Sequence, residues 1–316
     1  MEGFQVPVVQ WPLPAVLAYF FIGVALWSLL GRLYPVLRFL CKYRCQRSLI
    51  NRCGRGSWAV VTGASYGIGL GFAQALATRG FNLVLIARSE HTLKKLASQL
   101  EAYYQIYTRV IVFDFTNAGS DYEGFYESLT RQVGDLDVSF VVNNVGWGVD
   151  SFFEKLDLAA VTKMLELNIW PGLVLSRWAL TCMEKRASRS VILNLSSAAS
   201  LLPVPTAALY SATKKYIDFL SHSLSNEKCL HNVHIMSLRP GFVMTPMVES
   251  NKLTEKMLMI SVEECAEAAL EHVGTAPYTM GHWKHRLLRG LTLLLPEKVM
   301  AIVPLKRLRS VSRQLP

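Results

Sequence analysis

Short apolar segments alternate with longer amphipathic segments through the middle of this chain. Six segments of four to six residues are mostly apolar and rich in β-branched side chains, the pattern of strands buried in a parallel sheet: 57–61, 82–87, 109–113, 138–142, 191–195 and 234–237. Helical segments separate them, at 70–78, 91–104, 121–133, 158–185 and 211–229. This alternation predicts an α/β fold with a doubly wound parallel sheet and helices on both of its faces. No internal repeat or low-complexity linker divides the pattern, so we expect one domain over residues 55–279.

An uncharged segment precedes this domain. Residues 11–31 carry no charged side chain and, as a helix of 21 residues, are long enough to cross ~30 Å of hydrocarbon. A cleaved signal peptide would need basic residues before the apolar run, where the chain has only Glu2, and a helix buried in the protein core is a second alternative. Basic residues follow the run instead, which predicts an uncleaved anchor with the rest of the chain in the cytosol. Residues 1–54 are therefore interpreted as a membrane anchor with a basic linker.

The positive charge of the chain is concentrated beside its two apolar ends. The 316 residues carry a formal net charge of +10, yet residues 32–55 hold seven basic and no acidic residues, and residues 284–313 hold eight basic residues and one acid, Glu297. Setting aside these stretches and Glu2 leaves 18 of the 33 basic and 21 of the 23 acidic residues. A charge confined to the flanks favours an anionic membrane surface over nucleic acid as the partner. With 51% hydrophobic and 18% charged residues, the chain is too apolar to be disordered and too charged for a polytopic membrane protein.

Two further apolar runs lie within the second basic stretch. They cover residues 287–295 and 299–305 and are broken by Pro296 and Pro304, so that neither is long enough to span a bilayer. Contact with the membrane interface and packing of a helix on the protein's own core both stay open. We treat residues 280–316 as a membrane-associating or core-packing tail.

Cysteine and histidine spacing excludes some chemistry. The six cysteines contain no CxxC pair and, with the seven histidines, show no spacing typical of metal ligands, so no metal site is predicted. Free thiols are expected in a reducing cytosol. Cys41, Cys45 and Cys53 lie among basic residues beside the predicted anchor, where palmitoylation and chance placement are both open.

The first predicted strand runs directly into a glycine-rich loop, residues 62–69, which is followed by a helix and a second strand. This unit is typical of dinucleotide-binding folds of the Rossmann type, in which a helix N-terminus points at a pyrophosphate. Glycine is required because the backbone has to turn sharply and approach the phosphates closely. The loop residues expected to bind a cofactor are Gly63, Ser65, Tyr66, Gly67, Ile68 and Gly69.

The glycine spacing TGxxxGxG resembles that of the short-chain dehydrogenase/reductase family rather than the commoner GxGxxG. Further motifs of that family follow in its order: NNVG at 143–146, an asparagine at 168, a serine pair at 196–197, YSATK at 210–214 and PGxxxT at 240–245. The valine in NNVG, the leading apolar segment and the LPVP that precedes YSATK resemble one branch of the family. That branch contains the membrane-bound 17β-hydroxysteroid dehydrogenases and the very-long-chain 3-oxoacyl-CoA reductases, and the resemblance implies an oxidoreductase.

The resemblance also implies four catalytic residues. Tyr210 would donate a proton to a carbonyl oxygen while a hydride arrives from the nicotinamide, and Lys214, one helical turn away, would lower the tyrosine pKa and hold the nicotinamide ribose. A serine hydroxyl would hydrogen-bond the substrate oxygen. Strand alternation lets only one serine of the pair face the site, and the spacing to Tyr210 in this branch favours Ser197 and leaves Ser196 structural. Asn168 would hold a water that links Lys214 to bulk solvent.

The residue after the second strand indicates which cofactor is used. Enzymes specific for NAD carry an acid there, which binds the ribose 2′-hydroxyl, whereas this chain has Arg88, whose guanidinium suits a 2′-phosphate. NADPH, with NADP+ as its oxidised form, is therefore the expected cofactor, and reduction is the expected direction. Beyond the glycine-rich loop, the residues expected to contact the cofactor are Arg88, Asp114, Asn144, Gly146, Tyr210, Lys214, Pro240, Gly241 and Thr245.

These features favour a protein of the endoplasmic reticulum membrane whose catalytic domain faces the cytosol and reduces a lipid ketone with NADPH. The ketone would be a 3-oxoacyl-CoA of fatty-acid elongation or a 17-ketosteroid. A reductase of retinoids or other lipid carbonyls is an alternative. A catalytically silent membrane scaffold is the non-enzymatic alternative, against which the intact Tyr210, Lys214 and Ser197 argue.

Partners follow from the same residues. Apolar side chains after NNVG and after PG favour a hydrophobic small-molecule substrate, an acyl-CoA or a steroid, although such side chains are equally typical of a core. The family commonly pairs through its long helices, which makes a homodimer one option, but the sequence leaves the oligomeric state open. No nucleic-acid partner is expected. The apolar candidates for the substrate pocket are Trp147, Phe152, Phe153, Met244, Met247, Leu253, Met257 and Met259.

Overall fold

The computed structural model describes residue 14 and residues 17–28, 49–116, 121–227, 232–246 and 258–294. Its backbone contacts separate two units, Met1–Leu49 and Ile50–Pro316. In the first unit, helix α1 (Leu17–Ser28) is apolar. Its large apolar side chains are exposed, with Trp27 at 81%. These twelve residues correspond to ~18 Å of helix, and the remainder of the predicted span over 11–31 lies outside the described residues.

The second unit is built on a seven-stranded sheet in which every neighbouring pair of strands is parallel. The predicted doubly wound parallel sheet is confirmed. The strand order is β3-β2-β1-β4-β5-β6-β7. The strands are β1 Trp58–Thr62, β2 Asn82–Ala87, β3 Thr108–Val112, β4 Val138–Asn143, β5 Ser190–Leu195, β6 Val233–Leu238 and β7 Tyr278–Thr279.

Helices connect the strands along the chain. In addition to α1, they are α2 Leu49–Cys53, α3 Gly67–Ala77, α4 Glu90–Tyr104, α5 Tyr122–Val133, α6 Leu158–Met183, α7 Ala208–Ser225, α8 Val262–Leu270 and α9 Trp283–Leu294. Short 3₁₀ turns cover Phe153–Lys155 and Ala198–Ser200.

The strand order reverses between β1 and β4. From β1 the chain proceeds outward to β2 and β3, whereas from β4 it proceeds the other way to β5, β6 and β7. Loops that leave the carboxyl ends of the two central strands therefore diverge, which opens a crevice where ligands of this architecture bind. The predicted functional motifs at 62–69 and 143–146 follow these two strands directly.

Helix α6 is a core helix of this unit. Among the residues that the structure describes, it is the one helix long and apolar enough to cross a membrane. However, Leu175, Trp178 and Ala179 are fully or almost fully buried in the core that also contains Val141 and Ile192 of the sheet. Its apolar composition therefore reflects packing on β4 and β5.

The hydrophobic pattern did not predict two elements that follow β6, helix α8 and strand β7. Helix α8 begins with a capping box, in which the Ser261 hydroxyl accepts from the Glu264 N–H and the Glu264 carboxylate accepts from the Ser261 N–H. It packs against α3 at Gly71, where a Cβ would lie 2.6 Å from the carbonyl oxygen of Val262. Strand β7 has two residues, too few to show any periodicity.

The predicted tail is partly core-packed. Residues 283–294 form α9, in which His285 is completely buried, whereas Trp283 and Leu287 are 58% and 51% exposed. The second apolar run, 299–305, lies outside the described residues.

Palmitoylation of Cys53 does not fit the structure. Its side chain is 1% exposed, and burial raises the pKa of its thiol to about 11, so that the reactive thiolate is disfavoured. Cys41 and Cys45 lie outside the described residues.

Candidate active site

The ends of the two central strands are tied together by one side chain. The Thr62 hydroxyl at the end of β1 donates to the carbonyl oxygen of Val142 at 3.2 Å and accepts from the N–H groups of Asn144 and Val145 at 3.0 and 3.3 Å. The Asn144 side-chain amide returns a hydrogen bond to the carbonyl oxygen of Thr62 at 2.9 Å. This cross-link fixes the loop after β4 against the glycine-rich loop after β1.

The glycine-rich loop requires glycine at three positions, two because of the backbone conformation and one because of tight packing. Gly63 and Gly67 have φ values of +63° and +60°, which favour glycine. At Gly69, a Cβ would overlap the carbonyl oxygen of Gly63 and lie 2.6 Å from Asn144 Nδ2. Helix α3 starts at Gly67 with no side-chain cap from Tyr66, so its first N–H groups are available to an anion. This backbone cradle fits the pyrophosphate of a dinucleotide.

The other residues of the loop differ in exposure. Ser65 and Ile68 are partly buried, whereas Tyr66 is 58% exposed beside the N-terminus of α3. Thr245 closes the loop from the opposite side, because its methyl carbon lies 3.5 Å from the position that a Cβ at Gly67 would take. The structure thus brings the predicted residues of the first and last motifs together.

Arg88 and Asp114 lie beyond the ends of neighbouring strands β2 and β3. The Asp114 carboxylate accepts from the N–H and hydroxyl of Thr116 at 2.9 and 2.7 Å. The backbone hydrogen bond is the main reason why the pKa of Asp114 lies below its ordinary value, and the charges of Arg88 and Lys163 lower that pKa further. Arg88 itself is exposed, as a group that binds a phosphate at the rim of the site has to be.

Lys214 is buried beneath Tyr210, one turn away on α7. Its side chain is 4% exposed, its ammonium donates to the carbonyl oxygen of Leu195 at 3.1 Å, and its nitrogen lies 5.8 Å from the centre of the Tyr210 ring. Burial lowers the pKa of Lys214 to about 8, because an ammonium is poorly solvated there. The lysine therefore changes charge close to neutral pH.

The side chains of Tyr210 and Ser197 lie close enough for the serine hydroxyl to influence the tyrosine pKa. Burial raises the pKa of Tyr210 above its ordinary value, and the nearby charge of Asp150 adds to this, whereas the Ser197 hydroxyl opposes it. The tyrosine accordingly keeps its proton at neutral pH, as a proton donor must. The neighbouring hydroxyl of Ser196 points elsewhere and donates to the backbone oxygen of Lys214 at 2.7 Å.

The side chain of Asn168 holds the segment after NNVG. Its side-chain oxygen accepts from the Trp147 N–H at 2.7 Å, and its amide nitrogen donates to the Trp147 carbonyl at 2.9 Å and to the Thr213 hydroxyl at 3.0 Å. Both amide hydrogens are thus used within the protein, so the expected water would have to donate to the second lone pair of the side-chain oxygen. Gly146 lies between this amide and the lysine, since a Cβ there would lie 2.8 Å from Lys214 Nζ.

Sequence reasoning missed Gly148, which packs directly on the tyrosine ring. A Cβ at this position would lie 2.6 Å from Tyr210 Cδ2, so only glycine allows the backbone to approach the ring so closely. The segment continues over the site, where the Ser151 N–H donates to the carbonyl of Thr206 at 2.7 Å. The available signal was a second glycine two residues after Gly146.

A pocket opens beside Tyr210, below this segment. Its apolar lining includes Val149, Phe153, Leu156, Met164 and Leu209. Of the methionines considered for the substrate side, Met244 is exposed and Met259 is partly buried. Met247, Leu253 and Met257 lie outside the described residues.

The PGxxxT segment joins the serine turn to the C-terminal helix. The Pro240 carbonyl accepts from the N–H of Ala198, directly after Ser197, at 2.8 Å. Gly241 lies against His285 of α9, and a Cβ at Gly241 would lie 2.8 Å from the His285 ring. No sequence motif indicated His285.

Comparison with known proteins identifies the family. The family model described as short chain dehydrogenase matches residues 57–256. The chain belongs to the short-chain dehydrogenase family. It is 35% identical over 303 residues to very-long-chain 3-oxoacyl-CoA reductase-A of Danio rerio, which covers 93% of this chain and 91% of the relative. It is 33% identical to hydroxysteroid dehydrogenase-like protein 1 of Gallus gallus, over 87% of this chain and 82% of the relative.

Solved structures agree with this membership. The alcohol dehydrogenase of the archaeon Thermococcus sibiricus complexed with 5-hydroxy-NADP is 27% identical, with a TM-score of 0.59, over 77% of this chain and 92% of that one. This short-chain dehydrogenase is an oxidoreductase that uses a nicotinamide cofactor. The cradle at residues 63–69 and the buried Lys214 fit such a cofactor.

Replacing Tyr210 by Phe tests the proton donor. We expect Tyr210→Phe to lower kcat by about 10²–10⁴-fold while leaving the Kd of the nicotinamide cofactor unchanged, because the ring is kept and only the hydroxyl is lost. The measurements are steady-state ketone reduction and fluorescence titration of the cofactor. Tyr216→Phe, on the same helix, is the matched control and should keep wild-type turnover. A Tyr210→Phe variant with more than about a tenth of wild-type kcat would contradict the assignment, provided that chemistry limits the rate.

The pKa of Lys214 predicts a pH dependence. The ammonium is present below a pH of about 8 and is lost as the pH rises through that value, because burial places the pKa below that of an ordinary lysine. We therefore expect kcat/KM for the cofactor to be constant on the acidic side and to fall ~tenfold per pH unit on the basic side. The exposed neighbour provides the control, since Lys215→Met should leave this profile in place. A profile that stays level up to about pH 10 would show that the ammonium is not required.

Proposed function

We propose that this short-chain dehydrogenase is a membrane-bound, NADPH-dependent reductase of long-chain 3-oxoacyl-CoA. The observation that carries the proposal is the buried ammonium of Lys214, bonded to the Leu195 carbonyl and 5.8 Å from the centre of the Tyr210 ring, with Ser197 beside the tyrosine. This arrangement occurs in a chain that aligns over nearly its full length with a protein named for that reaction. The 17-ketosteroids are a second candidate substrate class, which the relative in Gallus gallus favours by its name.

The residues divide the chemistry of ketone reduction among them. The Ser197 hydroxyl accepts from the Ala199 N–H at 3.1 Å, and its single proton would turn from Tyr210 to the substrate oxygen when a ketone binds. Tyr210 transfers its proton to the same oxygen, and the positive charge of Lys214 stabilises the phenolate that remains. A bound reduced nicotinamide supplies the hydride for the carbonyl carbon. The raised pKa of Tyr210 keeps the phenol protonated at neutral pH, which is the form that ketone reduction requires.

The narrow cleft beside Tyr210 would have to widen to admit a substrate chain, but most of its lining is apolar. Ser151 and Thr206 are its polar members, and the backbone bond between them holds the described segment over the tyrosine. Apolar walls close to one donor group are typical of sites that bind a lipid by its carbonyl end.

Arg88 supports NADPH over NADH. It stands at the position where enzymes specific for NAD carry an acid, and it is close enough to Asp114 for its charge to lower the pKa of that carboxylate. A guanidinium at the end of β2 pairs well with a ribose 2′-phosphate.

Exchanging the charge of Arg88 tests the preference. Arg88→Asp should lower the ratio of kcat/KM for NADPH to that for NADH by about ten- to a hundredfold, because the carboxylate repels the 2′-phosphate and accepts from a ribose diol. Lys95→Asp makes the same change of charge at an exposed position of α4 and should leave the ratio as it is. An unchanged ratio in Arg88→Asp would place the specificity at another residue.

The membrane part of the proposal rests on the two ends of the chain. Helix α1 exposes its apolar side chains, and seven basic residues lie within residues 32–55. We infer an anchor in the endoplasmic reticulum membrane with the catalytic unit in the cytosol. In sealed microsomes carrying protein tagged at both ends, added protease should digest the catalytic unit. A catalytic unit that stays protected would contradict the cytosolic assignment, and release of intact protein by high salt would contradict the anchor.

A substrate panel tests the reductase itself. Detergent-solubilised protein with NADPH should reduce a long-chain 3-oxoacyl-CoA with a kcat/KM at least about tenfold above that for a 17-ketosteroid. Tyr210→Phe supplies the blank for reduction by contaminants. A higher value for the steroid would transfer the assignment to the second candidate class. Turnover of neither compound by protein that binds NADPH would refute both.

A further inference from the structure

His285 is a buried histidine outside every motif of the family. It lies in the first turn of α9 and has no exposed surface. Its ring bridges two consecutive residues of the segment that follows β6: the Gly241 N–H donates to Nδ1 at 3.2 Å, and Nε2 lies 3.1 Å from the carbonyl oxygen of Phe242. One side chain thus satisfies a backbone donor and a backbone acceptor that are adjacent in the chain.

These two contacts fix the protonation of the ring. Nδ1 accepts a hydrogen bond and therefore carries no hydrogen, so Nε2 must carry the hydrogen that reaches the Phe242 carbonyl. The imidazole is neutral and held in a single tautomer. Burial lowers the pKa of His285 below its ordinary value, which agrees with a neutral ring.

The bridged segment lies between the parts of the candidate site. At its start, the Pro240 carbonyl accepts from the N–H of Ala198, next to Ser197. At its far end, the Thr245 methyl group lies against Gly67 of the glycine-rich loop. A displacement at Gly241 would therefore also move the serine turn and the pyrophosphate cradle.

Because residue 241 is a glycine, the flat ring of His285 can pack directly on its backbone. A Cβ at Gly241 would lie 2.8 Å from Cδ2 and 3.2 Å from Nε2 of His285, so the imidazole packs directly on the glycine backbone. The ring fills the space that a side chain at 241 would need. The shape of this segment consequently depends on a residue 44 positions later in the chain.

We propose that His285 is a positioning residue for cofactor binding. It holds the segment from Pro240 to Thr245 in the conformation that binds the nicotinamide half of the cofactor, and it thereby couples α9 to the active site. The inference rests on the proposed function in requiring that this segment binds NADPH. It does not require the substrate to be an acyl-CoA.

The test compares variants that keep or lose the two hydrogen bonds. His285→Ala removes both, whereas His285→Asn keeps an acceptor near the position of Nδ1 for the Gly241 N–H. Leu287→Ala is the matched control, since its side chain is 51% exposed on the same helix. For each full-length, detergent-solubilised protein, the Kd of NADPH is measured by fluorescence titration, and Tm is measured with and without saturating NADPH.

We expect His285→Ala to raise the Kd of NADPH by about tenfold or more, because the Gly241 N–H loses its partner and the Phe242 carbonyl keeps only its bond from the Ile260 N–H at 3.1 Å. The rise in Tm on adding NADPH should shrink, His285→Asn should lie between the alanine variant and the wild type, and Leu287→Ala should match the wild type. A Kd for His285→Ala within about twofold of wild type would overturn the proposal. Equal lowering of Tm with and without NADPH, with unchanged Kd, would show a structural role only.

The design separates this inference from the proposed reductase. Binding of NADPH is read without any ketone, so failure of the substrate panel leaves the His285 comparison intact. If His285→Ala does not fold, His285→Asn decides. A wild-type Kd together with wild-type kcat would show that cofactor binding needs the Gly241 bond alone. A raised Kd would show that it needs the bond to Phe242 as well. If His285→Asn also does not fold, the role of His285 in cofactor binding is overturned in favour of folding.

Discussion

The active site depends on how closely three backbone segments approach one another at the end of β1. Gly69 of α3 lies so near the Gly63 carbonyl and the Asn144 amide that a single methyl group would force them apart. The Thr62 hydroxyl locks the same point by bonding both to Val142 and to the backbone after β4. The glycines therefore do more than turn the chain, because their small size lets the glycine-rich loop and the loop after β4 lie in direct contact.

A second constraint follows from burying one ammonium. Lys214 has a backbone carbonyl as its hydrogen-bond partner, that of Leu195, and burial lowers its pKa to about 8. A carboxylate beside it would raise that pKa and neutralise the field that acts on Tyr210. The nearest acid on the same helix, Asp218, is instead held by Arg239 through two hydrogen bonds of 2.6 and 2.9 Å. The charge of Lys214 thus stays available to the tyrosine.

The sequence was sufficient for six of the seven strands of the sheet because each central strand is buried on both faces. The β-branched runs of β2 and β5 show this burial directly, and the predicted bounds differ from those observed by at most one residue. The family motifs likewise placed Tyr210, Lys214 and Ser197 in one site. Gly148 and His285 escaped prediction for a shared reason, because each acts through a contact between segments that are distant in the chain, with Tyr210 and Gly241 respectively. Asn168 was placed correctly, but its partners, Trp147 and Thr213, depend on tertiary packing that no spacing encodes.

In helix α9, the two alternatives for this part of the tail hold together, because one face packs on the core and the other is exposed. Its inner face carries His285 and also Arg289, whose guanidinium lies 5.7 Å from the centre of the Tyr278 ring. Its outer face exposes Trp283, Arg286 and Leu287, which recur at helical spacing, and residues 283–294 contain no acid. One helix therefore presents apolar and basic groups outward while its inner face holds the backbone of Gly241 and Phe242. If His285 has the proposed role, a movement of this helix would reach Gly241 and Phe242 through the His285 ring, because an imidazole bonded at both nitrogens cannot rotate without losing a partner.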